Sequence, residues 1–169
     1  TGYRGNLYCG SGRYYASGSR LAPFLNKKPG GHIYKIDANG EWIDCGSPAA
    51  AGADPEPEQL TGYEARETNL ADDANGLTVF RGELYAIAHH RRGVYRYLGG
   101  RDWQCTGLDS RVMTLAVYRD KLYALAKGGP IYRYDGDDNW TYCGTPGAST
   151  QTYAAVVHQG KMFVGTWPD

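Results

Sequence analysis

The stretch MTLAVYRDKLYALAKGGPIYRYDGDDNW, residues 113–140, decides the fold. Met113 to Val117 is an unbroken apolar run. Arg119-Asp120 marks a polar turn of two or three residues, and Lys121 to Leu125 reads as a second strand. A Gly-rich loop leads to Ile131-Tyr132-Arg133-Tyr134, which alternates as a strand with two different faces does. A polar hairpin from Asp135 to Asn139 then leads to a fourth strand beginning at Trp140. Four short antiparallel strands in about 40 residues form the unit of a β-propeller blade. Such a sheet cannot cover both of its own faces, so it needs a neighbour on each side.

The unit recurs along the chain. Phe80-Arg81-Gly82-Glu83-Leu84-Tyr85, Tyr118-Arg119-Asp120-Lys121-Leu122-Tyr123 and His158-Gln159-Gly160-Lys161-Met162-Phe163 align, and Tyr3-Arg4-Gly5-Asn6-Leu7-Tyr8 opens the series. Leu84 and Leu122 are 38 residues apart, and Leu122 and Met162 are 40 apart. A second series is interleaved: Ile33-Tyr34-Lys35-Ile36, Val94-Tyr95-Arg96-Tyr97 and Ile131-Tyr132-Arg133-Tyr134. A Trp follows each (Trp42, Trp103, Trp140), and a Gly stands four residues later (Gly46, Gly107, Gly144).

The sequence therefore predicts an all-β chain of about three and a half four-stranded blades. Blade one covers 1–46 with an insertion at 13–30; a second insertion covers 47–75. Blade two covers 76–107, blade three 111–144, and a half blade 151–169. The apolar first strand of each unit is expected at the crowded centre, and each Trp is expected to pack on the neighbouring blade. Propellers usually have four to eight blades. Exposed blade faces and edges are thus expected to be completed by the rest of a longer chain, or by a second copy closing a seven-bladed ring.

The Leu-Tyr strand, the Gly128-Gly129 pair after it, the Tyr-containing third strand and the late Trp resemble kelch-like propeller repeats. The resemblance covers nearly the whole chain outside the two insertions. It implies a propeller scaffold and carries over no catalytic residue. The turns at Asp37 to Trp42 and Asp135 to Trp140 are loosely similar to Asp-box turns, but the Asp-box spacing is not kept.

Composition narrows the function classes. The 169 residues carry 18 basic and 18 acidic side chains, a balance that argues against a nucleic-acid or membrane-surface binder. The 24 Gly and 15 Tyr suit tight turns and aromatic strands. No apolar run is long enough to span a membrane, and no signal peptide is expected at the start. Cys45, Cys105 and Cys143 follow the three Trp at what reads as repeat-equivalent positions, too far apart for disulfides. With Cys9 they are expected to be free and mostly buried thiols, which lean towards a reducing compartment. No Cys-x-x-Cys pair suggests zinc, no P-loop, dinucleotide or nucleophile motif is present, and no cofactor is expected.

Topology supplies the functional expectation. In an up-and-down blade, the second-to-third connection and the blade-to-blade connection leave on one side, and the other two turns on the opposite side. Every long excursion falls in the first set, including the insertions and His89-His90-Arg91-Arg92. Function concentrates on loops carried by a rigid scaffold. The expected binding residues are Arg13, Tyr14, Tyr15, Arg20, Tyr63, Arg66, His89, His90, Arg91 and Arg92, because Tyr and Arg offer contact area and directional hydrogen bonds. Solvated loops that only cap the ring are the competing reading. Adjacent His89 and His90 point apart on an extended chain and seldom chelate one ion, and Asp72-Asp73 is most simply a solvated pair. Glu64 to Ala74 could form one short helix.

These observations favour a non-catalytic module that binds a protein through the loop-rich side. A carbohydrate-binding, lectin-like propeller is the alternative; exposed aromatics between blades would favour it, and buried ones would weaken it. A propeller-fold glycoside hydrolase or lyase is the second alternative, and it needs inward carboxylates with raised pKa.

Overall fold

The computed structural model describes residues 1–11, 31–48, 74–88, 91–148 and 150–167. These residues form antiparallel β-sheets and no α-helix. Sheet I contains β1 (Gly2–Tyr3), β2 (Asn6–Gly10), β3 (Ile33–Ile36) and β4 (Trp42–Asp44). Sheet II contains β5 (Ala74–Phe80), β6 (Glu83–Ala88), β7 (Tyr95–Gly99) and β8 (Asp102–Cys105). Sheet III contains β9 (Val112–Tyr118), β10 (Lys121–Ala126), β11 (Ile131–Gly136) and β12 (Asn139–Gly144). Sheet IV is the strand pair β13 (Gln151–His158) and β14 (Lys161–Trp167). Within every sheet the strands pair in sequence order. The first strand of sheet I, β1, is two residues long. Residues 64–73 of the expected helix lie outside the described residues, and Ala74 opens β5.

The hairpin from first to second strand is built the same way four times. Arg4-Gly5, Arg81-Gly82, Arg119-Asp120 and Gln159-Gly160 all have positive φ at both positions. That is the primed turn whose twist matches the flanking strands. The guanidinium groups of Arg4, Arg81 and Arg119 lie over the preceding Tyr3, Phe80 and Tyr118 rings, 5.0–5.1 Å from their centroids. The repeated aromatic-Arg pair thus has a local cause, a cation resting on the ring that ends the first strand.

Two apolar clusters lie between successive sheets. Leu84, Ala86 and Trp103 of sheet II pack with Tyr3, Tyr8 and Cys45 of sheet I. Leu122, Ala124 and Tyr134 of sheet III pack with Phe80, Tyr85 and Ile87 of sheet II. Sheet II is therefore covered on both faces. Fully burying side chains such as Leu84 and Leu122 contributes roughly 1.5–3 kcal/mol each. The tryptophans complete each joint, as the repeat predicts. Trp103 Nε1 donates to the Cys45 carbonyl at 2.8 Å, and Trp140 Nε1 donates to the Thr106 carbonyl at 2.7 Å. Between sheets III and IV a different bond serves: Thr152 Oγ1 on β13 donates to the Ala126 carbonyl at the end of β10 at 3.1 Å.

These bonds correct two expectations about the cysteines. Thr106, not Cys105, occupies the place of Cys45, since each receives the next sheet's indole N–H. Burial also differs from one thiol to the next: Cys45 is buried, Cys105 half-buried, and Cys9 and Cys143 exposed, all four free. Cys9 stands where Ala86 and Ala124 stand in the next sheets, but no described sheet precedes it. Cys143 lies on β12, which no third or fourth strand of sheet IV covers.

Candidate functional site

The second-to-third and sheet-to-sheet connections leave sheet II and sheet III on the same side, and there they pair with one another. Arg92 forms an isolated antiparallel bridge with Arg111, and Lys127 forms one with Gln151. Gly93 N donates to Ser110 O at 2.9 Å, Lys127 N to Arg111 O at 2.8 Å, and Gly128 N to Thr150 O at 2.6 Å. Backbone bonds thus tie residues 91–93, 110–111, 127–128 and 150–151 into one platform. In sheet I the corresponding connection is closed by Ser11, whose carbonyl accepts from Gly31 N and Ala74 N and whose Oγ donates to His32 O at 2.9 Å.

Four cations stand on the platform: Arg91, Arg92, Arg111 and Lys127. Arg92 Nη1 pairs with Asp109 Oδ1 at 2.9 Å, and its carbonyl accepts from the Tyr95 hydroxyl at 2.6 Å. Burial pushes the Tyr95 phenol well above its ordinary pKa, so it stays a neutral donor. Arg111 is 93% buried, which fixes its guanidinium with the scaffold and not with the solvent. Each of the four is held by a further interaction.

Of the residues expected to bind a partner, Arg91 and Arg92 are on this platform. Arg13, Tyr14, Tyr15, Arg20, Tyr63, Arg66, His89 and His90 lie outside the described residues. Sequence reasoning missed Arg111 and Lys127. Their signal was position: Arg111 immediately precedes β9 and Lys127 immediately follows β10, so both flank connections on the loop-rich side. Among the described residues, no group of three or more His, Cys, Asp or Glu side chains is placed to hold a metal ion.

A second polar node joins sheets I and II. Asp44 accepts from Gly46 N at 2.7 Å, contacts His32 Nδ1 at 3.0 Å and pairs with Arg101 Nη1 at 2.6 Å. Burial opposes ionisation of Asp44, but these donors outweigh it and hold the carboxyl below its ordinary pKa. A depressed carboxyl pKa stabilises the fold above the unfolded value of 3.8, and that contribution is lost as pH falls through the lower folded value. Asp44→Asn is expected to cost on the order of 1 kcal/mol at neutral pH. It is also expected to flatten the acid limb of the stability profile, which unfolding followed against pH would check.

Comparisons with family models, with curated proteins and with solved structures found no match for the chain.

Proposed function

We propose that the chain is a kelch-like β-propeller segment acting as a non-catalytic interaction module, which binds a protein partner through its loop-rich side. The observation that carries this reading is the asymmetry between the two sides. One side bears tight turns only: the four primed hairpins and the third-to-fourth turns at residues 37–41, 100–101 and 137–138. The other bears the strand ends that lead into the long connections, and the bonded platform with Arg91 and Arg92. A rigid scaffold with its variable loops on one side is the usual arrangement of a recognition surface. Arginine contributes disproportionately to such surfaces because its donors are directional.

Burial of the rings between sheets II and III weakens the sugar reading at that joint. Phe80, Tyr85 and Tyr134, the aromatics between sheets II and III, are only 5%, 2% and 8% exposed. A small cleft here is lined by these three rings together with Arg81, Glu83, Arg96, Lys121 and Asp135, but the rings expose little surface to it. Glu83 there already accepts from Tyr85 OH at 3.1 Å and Arg96 Nη1 at 3.3 Å. Hydrolysis would need a carboxyl acid with raised pKa. Asp37, Asp44, Asp120 and Asp135 instead all move down.

Combined Arg91→Glu and Arg92→Glu substitution is expected to reduce retention of the partner about tenfold, the effect of losing roughly 1.4 kcal/mol. Arg119→Ala, on the short-turn side, is expected to leave it unchanged. Affinity capture from an extract, quantified for the three chains side by side, checks this. Equal retention by all three would move the site away from the platform.

A further inference from the structure

The two ends of the stack carry unmatched halves of the joint that the chain builds internally. In the joint between sheets I and II, Leu84 and Trp103 press on Tyr3, Tyr8 and Cys45. In the joint between II and III, Leu122 and Trp140 press on Phe80 and Tyr85. Leu84 and Leu122 are both completely buried. Their counterparts in sheet I are Leu7, 53% exposed, and Trp42, 56% exposed. Cross-strand pairing of Leu7 with Ile36 and of Ile36 with Trp42 puts all three on one face of sheet I. At the other end, Phe163 stands where Tyr8 and Tyr85 stand, one residue past the repeated Leu or Met, yet it is 52% exposed. Val156 lies directly across from Phe163, and Trp167 follows on the same face of β14 at 59% exposure.

We propose that a second copy of this chain docks head to tail, the Leu7–Trp42 face of sheet I in one copy resting on the Val156–Phe163 face of sheet IV in the other. The reason for choosing a copy of the chain itself as the occupant is the repeat. One face offers the Leu and Trp that enter each internal joint, and the other offers the aromatic that receives them. Each face is apolar, and a contiguous exposed apolar face is a contact surface. Joining unlike faces is a heterologous contact, and two copies that join both pairs close on each other. The inference stands on the internal joints alone and does not depend on what the loop-rich side binds.

Light scattering of the full chain and two variants tests it. Wild type is expected to reach twice 18.5 kDa as concentration rises. Leu7→Asp removes one face and Phe163→Asp the other, so each variant alone is expected to stay at 18.5 kDa. An equimolar mixture rebuilds one of the two joints, because each variant brings one face the other lacks, so it is expected to return to twice that mass at higher concentration than wild type. Trp42 and Trp167 lie on these faces, so their emission should shift to the blue in wild type and in the mixture. Circular dichroism verifies that both variants keep the fold; Leu7→Ser and Phe163→Ser replace them if an aspartate disturbs a strand. A wild-type chain that remains at 18.5 kDa at all concentrations overturns the proposal and leaves the faces to further repeats of a longer polypeptide. A mixture that stays monomeric while wild type dimerises overturns the head-to-tail pairing.

Discussion

Gly107→Ala is expected to destabilise the protein by about 2–5 kcal/mol, lowering the thermal midpoint by roughly 5–15 °C. Gly107 has φ +76 and lies under the hairpin of the next sheet. A Cβ there would sit 2.5 Å from the Asp138 carbonyl oxygen. Two costs add. A side chain in the left-handed region costs roughly 1–2 kcal/mol by itself. The clash is with backbone, which no rotamer change relieves, so sheet III must move away from sheet II. Trp140 donates to Thr106 O one residue away, and that bond would lengthen with the same movement. Gly46 is placed identically under the Arg101 carbonyl of sheet II. Gly82 is the control: it has nearly the same φ, +75, but nothing lies within 4 Å of its Cβ position. Gly82→Ala should therefore show the backbone cost alone, about 1–2 kcal/mol. The excess of Gly107→Ala over Gly82→Ala measures the joint. Equal losses would mean that sheet III does not close on Gly107.

The same comparison explains what was legible in the sequence. The strands were legible because each has its own signal: alternation in Val94 to Tyr97, an apolar run in Met113 to Val117, and paired turn residues between them. The glycines four residues after each Trp were visible as a pattern, but their cause was not. For Gly46 and Gly107 it lies in a carbonyl about 31 to 55 residues further on, brought close only by stacking. The cysteines failed for a related reason. Cys105 stands two residues after Trp103 whereas Cys45 stands three after Trp42, and the indole bonds keep the spacing of three and select Thr106. Burial of Cys9 and Cys143 was misjudged because it depends on which neighbour is present, a property of the stack and not of the residue. At the candidate site, topology located the side and named Arg91 and Arg92. Arg111 and Lys127 join them through backbone bonds between connections of different sheets, and no local pattern announces such pairing.

Leu84→Ala is expected to cost about 2–5 kcal/mol, while Leu7→Ala, the same change at the same repeat position, should cost no more than about 0.5 kcal/mol in dilute solution. Sequence alone cannot separate the two, since both stand in a Leu-Tyr strand after a primed hairpin. Their surroundings differ. Leu84 has no exposed surface and touches the cluster containing Tyr3, Tyr8 and Trp103, so its removal leaves a cavity that rigid sheets cannot close. Leu7 is 53% exposed, and its truncation mostly returns surface to water that was already there. Urea unfolding of both variants at low protein concentration measures the difference through the midpoint at constant slope. Repeating the Leu7→Ala measurement at high concentration adds a second reading. If copies dock through this face, the loss at Leu7 must grow with concentration, because folding and association are then linked by mass action. The loss at Leu84 must not grow, since its joint is complete within one chain.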